Sequence, residues 1–111
     1  MKPQLHHIAI NVKDIDWYCN FFCSVFHMEI RKTAGETPHR QIWFHEGIQL
    51  NERNPVADGD NAIDHLSISV DDIDSYCAKA QNNQCTPVPD KRGWFMLPNG
   101  LKVELVTFAN T

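Results

Sequence analysis

The strongest constraint on what this chain can fold into is that it carries one pattern twice. Displaced by 58 residues, His7-Ile8-Ala9-Ile10-Asn11-Val12-Lys13-Asp14-Ile15-Asp16-Trp17-Tyr18-Cys19 lies over His65-Leu66-Ser67-Ile68-Ser69-Val70-Asp71-Asp72-Ile73-Asp74-Ser75-Tyr76-Cys77, and eight of these thirteen pairs are identical. Chance gives about one identity in such a window, so the match marks a duplicated structural module. Between the copies, Asn54-Pro55-Val56-Ala57-Asp58-Gly59-Asp60-Asn61 gathers residues that punctuate secondary structure. The expected organisation is one domain over residues 1–111, with module one at about 1–54, a linker at 55–61 and module two at about 62–111. Neither half, of about 55 residues, would bury much surface alone.

Each copy opens with the period-two alternation of a strand. In the first, His6, Ile8, Ile10 and Val12 share one face, and Leu5, His7, Ala9 and Asn11 share the other. In the second, Leu66, Ile68 and Val70 oppose His65, Ser67 and Ser69. Both strands therefore have a greasy face and a small, polar face that carries a histidine. Asp14 and Asp72 are placed as N-caps for the helices that follow. Ile15, Tyr18, Cys19, Phe22, Cys23, Val25 and Phe26, and likewise Ile73, Tyr76, Cys77 and Ala80, recur at helical spacing and give each helix an apolar stripe for its sheet.

Three strands complete each copy. In the first they are Met28–Arg31, Gln41–Phe44 and Ile48–Asn51; in the second, a proline-interrupted edge strand near Thr86–Val88, then Gly93–Leu97 and Leu101–Val106. His45-Glu46-Gly47 and Pro98-Asn99-Gly100 supply hairpin turns. The expected class is α+β: two βαβββ modules forming a curved mixed sheet around a cup, with the helices on the outer face.

Charge and composition narrow the function. Ten Lys and Arg are scattered against fourteen Asp and Glu, for a net charge of −4, which argues against a nucleic-acid partner. Met1-Lys2-Pro3-Gln4-Leu5-His6-His7 lacks the apolar run of a signal peptide, and no window is long enough to span a bilayer. The expectation is a soluble cytoplasmic protein with no membrane partner. Cys19, Cys23, Cys77 and Cys85 show no C-x-x-C spacing and read as reduced thiols packed like small hydrophobes.

The chemistry is expected on the polar faces, which curve around a shared concavity and carry His7 and His65. Strand parity extends to the last strand of each copy, where Ile48 and Leu50 oppose Gln49 and Asn51, and Leu101, Val103 and Leu105 oppose Lys102 and Glu104. Glu104 is a carboxylate within an apolar strand and needs a partner. Two imidazoles and a carboxylate make a facial ligand set for a divalent cation with positions open to water or substrate, and Gln49 offers a fourth oxygen. His6, His27, His39 and His45 lack such support and read as structural or exposed. Trp43, Trp94 and Phe95 suit either a cavity lining or the sheet core. Arg40, Lys91 and Arg92 suit a solvated rim or a grip on an anionic substrate group.

His7 with Ile-Ala-Ile-Asn-Val-Lys-Asp after it, Asp64-His65 with Leu-Ser-Ile-Ser-Val-Asp-Asp after it, and Phe95-Met96-Leu97-Pro98-Asn99-Gly100-Leu101-Lys102-Val103-Glu104-Leu105 together resemble the glyoxalase, bleomycin-resistance and dioxygenase superfamily, also called vicinal oxygen chelate proteins. The resemblance covers essentially the whole chain. It implies paired βαβββ modules forming a cup, and a divalent ion near the ends of the first and last strands of each module. Carried over by motif, the metal ligands are His7, His65, Glu104 and Gln49, with Asn51 in the fourth place if Gly47 and Gly100 are aligned. Glyoxalase I itself usually has a carboxylate where Gln49 stands, whereas related epimerases show glutamine there.

The resemblance implies a small metal-dependent lyase or isomerase of the glyoxalase I type. Its substrate would chelate Zn, Ni, Mn or Fe through adjacent oxygens, and Glu104 would serve as the catalytic carboxylate if it leaves the metal. The alternatives are a metal-free ligand-binding protein like the bleomycin-resistance branch, or a metal-dependent thiol transferase or dioxygenase. A homodimer is expected, since short modules leave sheet edges that pairing would close. The partners are then a small-molecule substrate and a second copy of the chain.

Overall fold

The computed structural model describes residues 1–53 and 63–108; the expected linker at 55–61 lies outside the described residues. The elements run β1 (Gln4–Val12), α1 (Ile15–Phe26), β2 (Ile30–Ala34), β3 (Gln41–Phe44), β4 (Ile48–Glu52), β5 (Ile63–Val70), α2 (Ile73–Asn82), β6 (Thr86–Pro87), β7 (Trp94–Met96) and β8 (Lys102–Thr107). This is βαβββ written twice, as the repeat requires. The strands form one mixed sheet in the order β2-β3-β4-β1-β5-β8-β7-β6. Parallel pairs join β1 to β4 and β5 to β8; the remaining pairs inside each module are antiparallel. The proline-bearing β6 lies at one edge, where Pro87 removes no central ladder bond.

Two compact units emerge, one of residues 7–64 and one of residues 1–6 with 65–111, so β1 begins in the second unit and continues in the first. In the first unit, Val12, Ile15, Phe44 and Leu50 form the buried core, with Ile10, Cys19, Phe22 and Cys23 packed on it. In the second, Val70, Val103 and Leu105 are the core, with Ile73, Tyr76, Cys77 and Phe95 against them. In both units the greasy strand face receives the helix, as the alternation predicts. The opposite, small and polar face is nevertheless strongly buried: His7, Ala9, His65, Ser67 and Ser69 are all among the least exposed residues.

Both caps form as expected. Asp14 Oδ1 accepts from the Trp17 backbone N–H at 3.2 Å, and Asp72 Oδ1 accepts from that of Ser75 at 3.1 Å. The two hairpin glycines, Gly47 and Gly100, have φ of 98° and 90°, a region open to glycine at little cost. One expectation needs correction. Tyr18, Val25 and Phe26 lie on the helical stripe by spacing, yet all three are exposed. For Val25 and Phe26 the core ends one turn earlier, and Phe26 leans on Phe21 and Phe22, with ring centroids 5.6 and 6.4 Å away, whereas Tyr18 in the first turn meets Trp17 edge-on at 5.0 Å. Among the described residues no helix is long and apolar enough to cross a membrane.

Leu50 is fully buried at the centre of the first core. Leu50→Ala is expected to cost about 2–5 kcal/mol in urea denaturation. A cost below about 1 kcal/mol would show that this core is not close-packed.

Candidate metal centre

Register decides which side chains share a face. In the second unit, β5 and β8 run parallel with Ser67 opposite Glu104 and Leu66 opposite Val103. Val103 and Leu105 are in the core, so Glu104 between them faces the other way, onto the side of β5 that carries His65 and Ser67. There the Ser67 hydroxyl donates to Glu104 Oε1 at 3.0 Å. His65 Nε2 lies 3.7 Å from the same oxygen, too long for a hydrogen bond. The His65 ring meets the edge of Trp94 at 4.7 Å between centroids.

The first unit repeats the arrangement with neutral groups. Ala9 stands opposite Gln49 on the parallel pair β1 and β4, just as Ser67 stands opposite Glu104. Gln49, not Asn51, is therefore the counterpart of Glu104, which resolves the two alignments open to sequence. Asn51 instead serves Gln49, its Oδ1 accepting from Gln49 Nε2 at 2.7 Å. His7, two residues before Ala9, is buried on the same face.

The tryptophans also find their place. Trp43 is the antiparallel partner of Gln49, and Trp94 that of Glu104, so each indole stands beside a candidate ligand. Phe44 and Phe95, one residue on, belong to the cores instead. Each indole also carries a lysine ammonium over its ring, Lys32 on Trp43 at 4.7 Å and Lys91 on Trp94 at 5.1 Å.

His65 and Glu104 offer their donor atoms on one face of the paired β5 and β8. Two donors at ~2.1 Å from one ion stand about 3.0–3.4 Å apart. The 3.7 Å between His65 Nε2 and Glu104 Oε1 is wider by only a few tenths of an ångström, within side-chain adjustment. Neutral imidazoles and a carboxylate are donors that suit a divalent first-row ion. The residues present fit such an ion.

Arg40 does something other than grip a substrate anion. Its Nε and Nη2 donate to Glu52 Oε1 and Oε2 at 3.0 and 2.8 Å, its backbone N–H donates to Glu52 Oε1 at 3.0 Å, and Nη1 reaches Asp16 Oδ1 at 3.0 Å. The guanidinium clamps the end of β4 to the first turn of α1. Arg92 likewise pairs with Asp74 at 3.1 Å on an exposed surface. Burial raises the thiol pKa of Cys19 and of Cys77, and all four cysteines are free, in keeping with a packing role.

The sequence matches the family model of the glyoxalase/bleomycin resistance protein/dioxygenase superfamily over residues 4–105. The chain belongs to this superfamily. Among solved structures, it is similar to a variant of Streptomyces coelicolor methylmalonyl-CoA epimerase in complex with 2-nitronate-propionyl-CoA, with TM-score 0.73 and 21% identity over 97% of this chain and 96% of that one. It is also similar to a Mn(II)-bound glyoxalase from Novosphingobium aromaticivorans, with TM-score 0.68 and 22% identity over 94% of this chain and 38% of that one. A third likeness is to a 2,3-dioxygenase from Pseudomonas sp. KL28, with TM-score 0.68 and 18% identity over 94% and 40%. This chain thus spans about two-fifths of the glyoxalase and dioxygenase chains, and at these identities the likeness shows a shared fold. A search of curated protein sequences finds no match.

Ser67 was not legible as a site residue, because only the register between β5 and β8 brings it onto Glu104. The Arg40 clamp yields a pH prediction. The hydrogen bonds from Arg40 hold the Glu52 carboxyl down from 4.5 to about 2. A carboxyl whose pKa is lowered on folding stabilises the fold above its unfolded pKa, and that contribution is lost as pH falls through the folded value. Wild-type stability is therefore expected to decline between about pH 4.5 and 2 more steeply than that of Glu52→Gln, followed by urea midpoints across that range. Parallel curves for the two proteins would show that the clamp contributes nothing.

Proposed function

We propose that this superfamily member is a metal-dependent lyase or isomerase acting on a small molecule that chelates a divalent ion through adjacent oxygens. His7, His65 and Glu104 are its ligands, and Gln49 is the fourth. The observation that carries this reading is the approach of His65 Nε2 to within 3.7 Å of Glu104 Oε1 on the polar face of β5 and β8, with His7 and Gln49 at the matching positions of the first module. The Mn(II)-bound glyoxalase with the same fold supports it.

A divalent ion bound there supplies a Lewis acid that polarises a carbonyl oxygen and eases loss of a proton from the neighbouring carbon. Glu104, the carboxylate of the set, would take the catalytic role and accept that proton if it were released from the ion. One carboxylate against a dication leaves positive charge for an anionic substrate oxygen. A second carboxylate in place of Gln49 would cancel it. Trp43 and Trp94, beside Gln49 and Glu104, give the site apolar walls of the kind small-molecule pockets use.

Metal analysis after exposure to Mn, Ni, Zn and Fe(II) is expected to find one ion per wild-type chain. His65→Ala, which removes a direct ligand, and Glu104→Gln, which exchanges a charged oxygen donor for a neutral amide, should each weaken binding at least about tenfold. Ion at a hundred times its Kd should stabilise the fold by about 2.7 kcal/mol, seen as a raised unfolding temperature that chelator reverses. A wild type that takes up no stoichiometric ion would overturn this reading in favour of metal-free ligand binding.

A further inference from the structure

The two modules orient their last-strand ligands by different means. In the second, Ser67 is wholly buried and its hydroxyl bonds Glu104 Oε1 at 3.0 Å. In the first, the matching position is Ala9, which cannot do this, and Asn51 does it instead, its Oδ1 taking the Gln49 amide N–H at 2.7 Å. Asn51 is itself buried and also accepts from Gln41 Nε2 at 3.4 Å, so the acceptor oxygen is fixed from two sides. Its counterpart in the second module is Val106, two residues beyond Glu104 on the same face. A hydroxyl accompanies the carboxylate, and an amide oxygen accompanies the amide. Binding the glutamine through its nitrogen turns its oxygen, the only atom of that side chain able to ligate a cation, away from Asn51.

Resting on the metal-centre reading above, we propose that Ser67 and Asn51 are the positioning residues of this site, Ser67 holding the Glu104 carboxylate and Asn51 holding Gln49 with its oxygen presented to the ion. Second-sphere partners of this kind are worth 10–100-fold in metal affinity. The test is Mn(II) calorimetry on wild type, Ser67→Ala, Ser67→Thr and Asn51→Ala, with metal-free melting curves of each. Expected are roughly 10–100-fold weaker binding by Ser67→Ala and Asn51→Ala, and recovery to within about threefold of wild type in Ser67→Thr, which keeps the hydroxyl. Metal-free melting temperatures should not follow that order. Wild-type binding with every variant within threefold overturns the positioning roles and leaves the metal centre standing. Affinity losses that track metal-free melting reduce both residues to structural ones. Absence of binding in wild type overturns the metal centre and this proposal with it.

Discussion

A carboxylate set into an apolar strand must be answered, and the way Glu104 is answered organises the second half of this molecule. Val103 and Leu105 on either side of it are core residues, so β8 is locked in place by apolar burial. That same burial fixes the register that lays Ser67 beside Glu104, with His65 within reach. A slip of one residue would turn Glu104 into the core and Val103 out of it. The hydrophobic pattern thus positions the polar site, because a strand cannot satisfy one face without committing the other.

Duplication gives each module the same set of polar parts. The first module supplies a histidine, a last-strand side chain opposite a small residue, and an indole as cross-strand neighbour; the second supplies the same set. The copies differ at the points that govern charge. Where the second has Glu104 with a serine hydroxyl, the first has Gln49 with an asparagine amide. The scaffold is shared by the two copies while the charge at the matching last-strand position differs.

Much of this was written in the sequence. Period-two alternation separated the core face from the face that carries the histidines on β1 and β5, and Gln49 and Glu104 on β4 and β8, because alternation is a direct consequence of backbone geometry. Asp14 and Asp72 announced the helices because capping is local. The residues that escaped were those whose partners are distant in the chain with no local signature. Arg40 reaches Asp16 and Glu52, and nothing near it in sequence distinguishes a clamp from a solvated rim. Trp43 and Trp94 occupy matching positions but stand 51 residues apart where the first strands stand 58 apart, so loop lengths hid their equivalence. The last turn of α1 misled for a different reason: spacing tells which way a side chain points, and cannot tell where the surface beneath it ends.

In the proposed metal centre, His7, His65 and Glu104 hold one divalent ion. Anomalous X-ray diffraction at the manganese edge, from crystals grown with Mn(II), tests it most directly. A single strong peak is expected within about 2.3 Å of a nitrogen on each histidine and an oxygen of Glu104. A peak at other residues, or none at these three, would contradict it.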